Sequence, residues 1–346
     1  MSLPVIAIWK KRTGLLVLLF SFLLVGMVIA SASMGYVDIG PSDLASLIKT
    51  EIFNDPGPVD ATVKTIVMDV RLPRILVCAA VGGALALSGV LFQGILLNPL
   101  ADPYTLGVSA GAAFGACVAI LLSLGATLVS VPLSAFTGAC LTLFAVMFLS
   151  FSGSNKGGGF SSNSLILSGI IVAAILSAGI SFMKYLADDQ VSAIIFWLMG
   201  SFASKTWGEV ALTWTVLGAG LCISLFFARD LNLVCLGDRS ATSLGVDTQR
   251  VTLILLVTGS LLAAVSVSVS GIIGFVGLLV PHMVRIITGP DHGRLIPVSI
   301  LTGSLLLLGA DTITRAVLPH EIPIGVLTAL IGGPVFCWIF KKSQEI

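Results

Sequence analysis

The chain has 346 residues, of which 56% are hydrophobic and 10% charged, and its mean hydropathy is +1.08. Soluble domains carry roughly 25% charged residues, so this composition describes an all-α polytopic membrane protein with no length left for a sizeable soluble domain. With a net charge of +1 and no basic tract, it has nothing with which to grip nucleic acid.

In chain order, apolar runs predict about ten spans, at 13–33, 72–94, 104–124, 127–151, 163–186, 205–228, 250–270, 274–288, 295–316 and 323–341. The first, within "WKKRTGLLVLLFSFLLVGMVIASAS", imitates a secretory signal. Its apolar run from Leu15 to Ala32 exceeds the usual core of about 7–15 residues, so it reads as a retained span. The outer loop 34–70 carries Asp38, Asp43, Glu51, Asp55, Asp60 and Asp69, with a surface helix expected over 41–53. Ser42 is its expected N-cap and Asp43 lies in its first turn. "SAIIFWLMGSFAS" (192–204) is too short to cross and should lie on the surface or re-enter. The loop 229–249 has leucines at helical spacing among polar residues, which suits short helices on a membrane face.

An even number of spans puts both termini on one side. With that side cytoplasmic, the inner segments hold eleven positive residues: Lys10, Lys11, Arg12, Lys156, Arg229, Arg239, Arg250, Arg285, Arg294, Lys341 and Lys342. The outer segments hold seven: Lys49, Lys64, Arg71, Arg74, Lys184, Lys205 and Arg315. That balance follows the positive-inside rule. The whole chain, 1–346, reads as a single transmembrane domain.

Motifs within the spans mostly speak of packing. Gly107, Gly111 and Gly115 recur at four-residue steps, and Gly82, Ala86 and Gly89 form a similar stripe. Small residues so spaced let helix backbones approach closely. Asp311 is the one acidic residue well inside a span, and Arg315 four residues on is its expected partner. His282 reads either as a proton relay or as an interfacial residue bonded to a helix end. "NPLADP" (98–103) is a rigid turn held by prolines at both ends, or a constriction of a pathway. Five of the six cysteines, at 78, 117, 140, 222, 235 and 337, sit in apolar runs as small hydrophobes, and no spacing suggests a metal or a disulfide framework.

What is missing narrows the function. "GSNKGGGFSS" (153–162) is not a phosphate loop but a flexible turn, and no hydrolase motif is present. Few ionisable groups reach mid-membrane, which weighs against an ion-coupled secondary carrier, the alternative reading. The chain has no energy source of its own.

"RLPRILVCAAVGGALALSGVLFQGILLNPLADPYTLGVSAGAAFGA" resembles the permease subunits of bacterial iron-chelate, haem and cobalamin ABC importers. "LGDRSATSLGV", "GIIGFVGLLVPHMVR", "GADTITR" and "EIPIGVLTALIGGPVF" match the same family in the same order, so the likeness runs from about residue 66 to 340. The resemblance implies a homodimer of ten-span subunits in the bacterial inner membrane. Two cytoplasmic ATPase subunits would bind the ATP and magnesium, and this chain would hold no cofactor or metal. A periplasmic or lipid-anchored binding protein would deliver the cargo. By the same resemblance Arg71, Arg74 and Arg315 would dock glutamates of that protein, a role suited to guanidinium forks that stay charged. Asn98 and Leu100, with Ser162 and Asn163, would form the cytoplasmic gate. Leu236, Gly237, Asp238, Ala241, Leu244 and Gly245 would couple to the ATPase.

Overall fold

The computed structural model describes residues 3–35, 37, 39–53, 60–124, 130–152, 161–316 and 320–343. Helix α1 (Leu3–Ser33) is followed by α2 (Pro41–Phe53) and a short α3 (Ala61–Thr65). A π turn (Ile66–Arg71) leads from α3 into α4 (Leu72–Ile95). Next come α5 (Val108–Leu121), α6 (Ser130–Ser152), α7 (Ser162–Leu186), the short α8 (Val191–Leu198) and α9 (Trp207–Phe226). Short helices α10 (Ala228–Val234) and α11 (Asp238–Ser243) precede α12 (Thr248–Ser270), α13 (Val276–Thr288), α14 (His292–Ala316) and α15 (Ile324–Ser343).

Among the described residues, seven stretches are long and apolar enough to cross a membrane, and three shorter apolar helices complete the expected ten. The differences lie at the ends. The second span extends back to Ala61, so part of the expected outer loop is helical. The third begins at Val108 rather than 104, because Asp102 accepts from the amides of Tyr104 (3.1 Å) and Thr105 (3.0 Å) and holds them in a turn. The eighth begins at Val276, after an irregular stretch that includes Gly271 and Phe275 at positive φ. Helix α2 starts with Pro41, whose fixed φ suits the first helical position, so Ser42 lies inside the first turn and is not the cap.

Helices α5 and α13 have 14 and 13 residues, about 20 Å of rise, against roughly 30 Å of hydrocarbon. Irregular backbone must therefore enter the membrane beside them, where it needs internal partners. Tyr104 supplies these. Its hydroxyl donates to the Ile273 carbonyl and accepts from the Ile273 amide at 3.1 Å, joining the two irregular segments.

Helix α4 is the axis of the bundle and is buried on nearly every side, among α9, α12, α13 and α14. Its Gly82 backs onto Gly303 of α14 and its Gly89 onto Gly277 of α13, so closely that a Cβ at either α4 position would strike the facing carbonyl. Hydroxyls reinforce these contacts: Ser88 donates to Gly259 O and Ser304 to Ala79 O, each at 2.7 Å. Gly111 and Gly115 of α5 face Gly138 and Ser134 of α6. Gly107 does not share that face; it precedes α5 in left-handed backbone and lies against Gly169 of α7.

Candidate functional site

Proline at 73 cannot donate a backbone hydrogen bond, and its ring crowds the carbonyl four residues back. Just ahead of it the helix widens into the π turn, where Leu72 N–H reaches back five residues to Val67 O. π turns of this kind often mark functional positions. Arg71 and Arg74 leave this region toward different neighbours, not toward one shared face as their spacing suggests.

Arg71 is buried and turns onto the C-terminal end of α1. It donates to Ala32 O (2.6 Å), Ser33 O (3.0 Å) and Val37 O. Arg315 reaches the same end from α14, donating to Met34 O (2.6 Å), Ser31 O (2.7 Å) and Ser31 Oγ (2.8 Å). The last carbonyls of a helix lack intrahelical donors and carry the negative end of its dipole. Two guanidinium groups therefore close α1, a helix with few other buried contacts.

Arg74 is the partner of Asp311. Its Nη2 lies 2.9 Å from Asp311 Oδ1 and its Nε 3.2 Å from both carboxylate oxygens, while its Nη1 lies 3.1 Å from Glu321 Oε1. The expected Asp311–Arg315 pair is only marginal, at 4.0 Å. The correction has a geometric cause: Arg315 is drawn to the end of α1, which leaves the 1% exposed Asp311 to Arg74. Nearby, Lys205 donates to Val269 O (2.6 Å) and meets Glu209 at 3.3 Å. Burial lowers the pKa of that ammonium, and Glu209 pulls it back up.

At the other end of α4 the chain reverses through "NPLADP". Leu97 takes positive φ, Asn98 Oδ1 accepts from Leu100 N (2.9 Å), and the Leu100 side chain is exposed. Ser162, at the start of α7, donates to Ile95 O at the end of α4 (3.4 Å). The two segments named from the sequence thus meet beside one helix terminus. Asn163 is exposed next to Ser162. Most of the glycine-rich turn before it, 153–160, lies outside the described residues.

Helix α11 is bracketed by Gly237 and Gly245, both in left-handed backbone (φ 99° and 87°) that other residues adopt only with strain. Ala241 is buried beneath it, while Asp238 opens it. Leu236 and Leu244 flank the helix 67% and 63% exposed, an apolar pair of the kind that marks a contact surface. Helix α10 ties this unit to the bundle: Asn232 Oδ1 takes both the backbone amide (2.9 Å) and Nδ1 (2.7 Å) of His292, the first residue of α14. His292, α11 and the reversal lie at one end of α14, and Asp311 and Arg315 at the other. Along the helix His292 lies about 29 Å from Asp311 and about 35 Å from Arg315.

Four residues with clear structural work carried little signal in the sequence. Glu321 sits in a short polar loop, and Tyr104 looks like an aromatic in an apolar run, although a buried tyrosine hydroxyl calls for a partner. Asn232 and His292 lie 60 residues apart. His282, the histidine that drew attention, is half-buried on α13.

The FecCD transport family model matches residues 22–342. The cobalamin import system permease protein BtuC of Halobacterium salinarum is 41% identical over 286 residues, 83% of this chain and 76% of that protein. The hemin transport system permease protein HmuU of Yersinia pestis is 39% identical over 80% of this chain and 84% of its own length. The molybdate import system permease protein MolB of Haemophilus influenzae is 37% identical over 97% of this chain and 96% of its own length. A metal-chelate type ABC transporter, solved in an inward-facing conformation, superimposes with a TM-score of 0.82 at 33% identity, covering 94% of this chain and 98% of that one. The chain belongs to the FecCD transport family, as a multi-pass permease of the ABC importers.

Proposed function

We propose that this permease carries an iron chelate of the ferric siderophore class, in preference to cobalamin or haem. A binding protein delivers the cargo at the arginine end of α14, and two ATPase subunits engage α10 and α11 at the other. The working unit is a homodimer in the inner membrane, with both termini cytoplasmic. ATP and magnesium are bound by the ATPase subunits and not by this chain. The observation that carries this reading is the polarity of α14: the Arg74 guanidinium already holding carboxylates at one end, and exposed leucines on a glycine-hinged helix at the other. Relatives named for cobalamin, haem and iron dicitrate, and a metal-chelate type neighbour, support a metal chelate as cargo, within which the siderophore class is our choice.

In this reading Arg74 receives the binding protein, while Arg71 and Arg315, named for the same role by the resemblance, hold the end of α1 beside it. Asn98, Leu100, Ser162 and Asn163 close the inner end of the pathway. Leu236 to Gly245 pass ATPase movement to α14 through Asn232 and His292. Cargo and nucleotide must favour different conformations for any net transport.

Proteoliposomes containing the permease, its ATPase subunits and its binding protein provide the test. ATP-dependent uptake of iron-loaded siderophore is expected, together with weakened docking and uptake on replacement of Arg74 by glutamine. Preferred uptake of cobalamin or molybdate would overturn the cargo assignment. Uptake without ATPase subunits would overturn the reading as a whole.

A further inference from the structure

The two carboxylates on Arg74 are held very differently. Asp311 comes from within α14, is 1% exposed, and takes the Nε and Nη2 edge of the guanidinium. Glu321 comes from the link between α14 and α15, is 54% exposed, and reaches only Nη1, at 3.1 and 3.3 Å. A cleft of about 190 Å³ opens beside them, lined in part by Ser201, Arg74, Asp311, Thr314 and Glu321. A carboxylate entering it meets Arg74 from the side that Glu321 occupies. Four residues on, the chain is secured again, with Gly325 N–H bonded to Met199 O at 3.0 Å.

We infer that Glu321 is a placeholder: it occupies the outward donor of Arg74 in the undocked permease and gives way to a carboxylate of the binding protein. The inference rests on the docking role proposed above for Arg74 and adds a competitor to it. Removing one partner from a buried pair is costly, so Asp311 stays and keeps the guanidinium aimed outward. An exposed pair contributes little, so Glu321 is readily exchanged. Its presence also shields the guanidinium from free anions, so that only a surface presenting several acidic groups in register gains by displacing it. Docking thereby frees the link that leads into α15.

The complete transporter in nanodiscs, permease with its ATPase subunits, is titrated with the fluorescently labelled binding protein of the same import system. Glu321→Gln and Glu321→Ala are expected to tighten docking by about two- to fivefold, and Arg74→Gln to weaken it by about tenfold or more. A merely structural Glu321 would give weaker docking or none of this gain. If both Glu321 variants dock no more tightly while Arg74→Gln is still impaired, the placeholder is wrong and the docking role stands. If Arg74→Gln also docks normally, both fall. A second readout needs no partner: phenylglyoxal should modify Arg74 several-fold faster in Glu321→Ala than in the parent. Equal rates, read by peptide mass spectrometry, would overturn the placeholder.

Discussion

Replacing Asp311 by leucine removes the carboxylate that holds Arg74 and leaves a guanidinium only 11% exposed facing an apolar neighbour. Deleting one member of a buried ion pair typically costs about 3–5 kcal/mol, most of it the stranded charge. Glu321 still reaches Nη1, but an exposed pair contributes only about 0–1 kcal/mol, so a net loss near 3 kcal/mol is expected. At about 2 °C per kcal/mol for a chain of this size, the apparent Tm should fall by about 6 °C. Thermal unfolding of detergent-purified protein, followed by fluorescence-detected size exclusion, measures that fall. Adding Arg74→Met to Asp311→Leu removes the stranded charge, since apolar replacements of a buried pair are often neutral. The double variant should recover most of the loss, with a coupling of about 2–3 kcal/mol in the completed cycle. A fall of less than about 2 °C in the single variant, or a double variant no better than the single, would refute this account of the outer cluster.

Gly82→Val should abolish folded yield in membranes, because the new side chain enters the Gly303 backbone of α14. Gly218→Ala on exposed α9, with open space around it, should instead raise stability by up to about 1 kcal/mol, read on the same thermal assay. Leu236→Ser with Leu244→Ser should leave Tm unchanged yet break the link between ATP hydrolysis and uptake; coupled transport at the normal stoichiometry would count against the α11 contact. Tyr104→Phe leaves both polar groups of Ile273 unsatisfied and should cost about 1–3 kcal/mol, with faster amide exchange at 271–275 as its local signature.

Much of the architecture could be read from apolar runs alone. All ten membrane segments, the surface helix α2 and the short helices α10 and α11 follow from hydrophobic spacing and length, because those signals are local. Polar pairing was far less legible. Arg74 and Asp311 are 237 residues apart, so the only pairing rule that spacing supplies favoured Arg315, four residues along the same helix. Arg315 is diverted by the carbonyls at the end of α1, and nothing near position 315 announces that. The start of the third span was misjudged for a related reason: Asp102 and Gly107 delay α5 by a side-chain-bonded turn and left-handed backbone inside a run apolar enough to be helical. His292 escaped notice because its partner, Asn232, lies in another helix 60 residues away.

The wide turn at Ile66–Arg71 sets a rule on chain length. Five residues at its wide pitch turn the chain about as far as four in an α-helix, so cutting one residue from it would restore ordinary four-back hydrogen bonding and leave the segments on either side nearly in register. Cutting one from α4 instead would swing everything upstream by about 100°, taking Val67 out of the core and the Met68 carbonyl away from the Trp207 indole that donates to it at 3.1 Å. Those six positions therefore absorb the loss of one residue better than their neighbours do, and a deletion scan across 60–75 should find its mildest effect within 66–71 and its sharpest loss of folded protein beyond it, at 72–75.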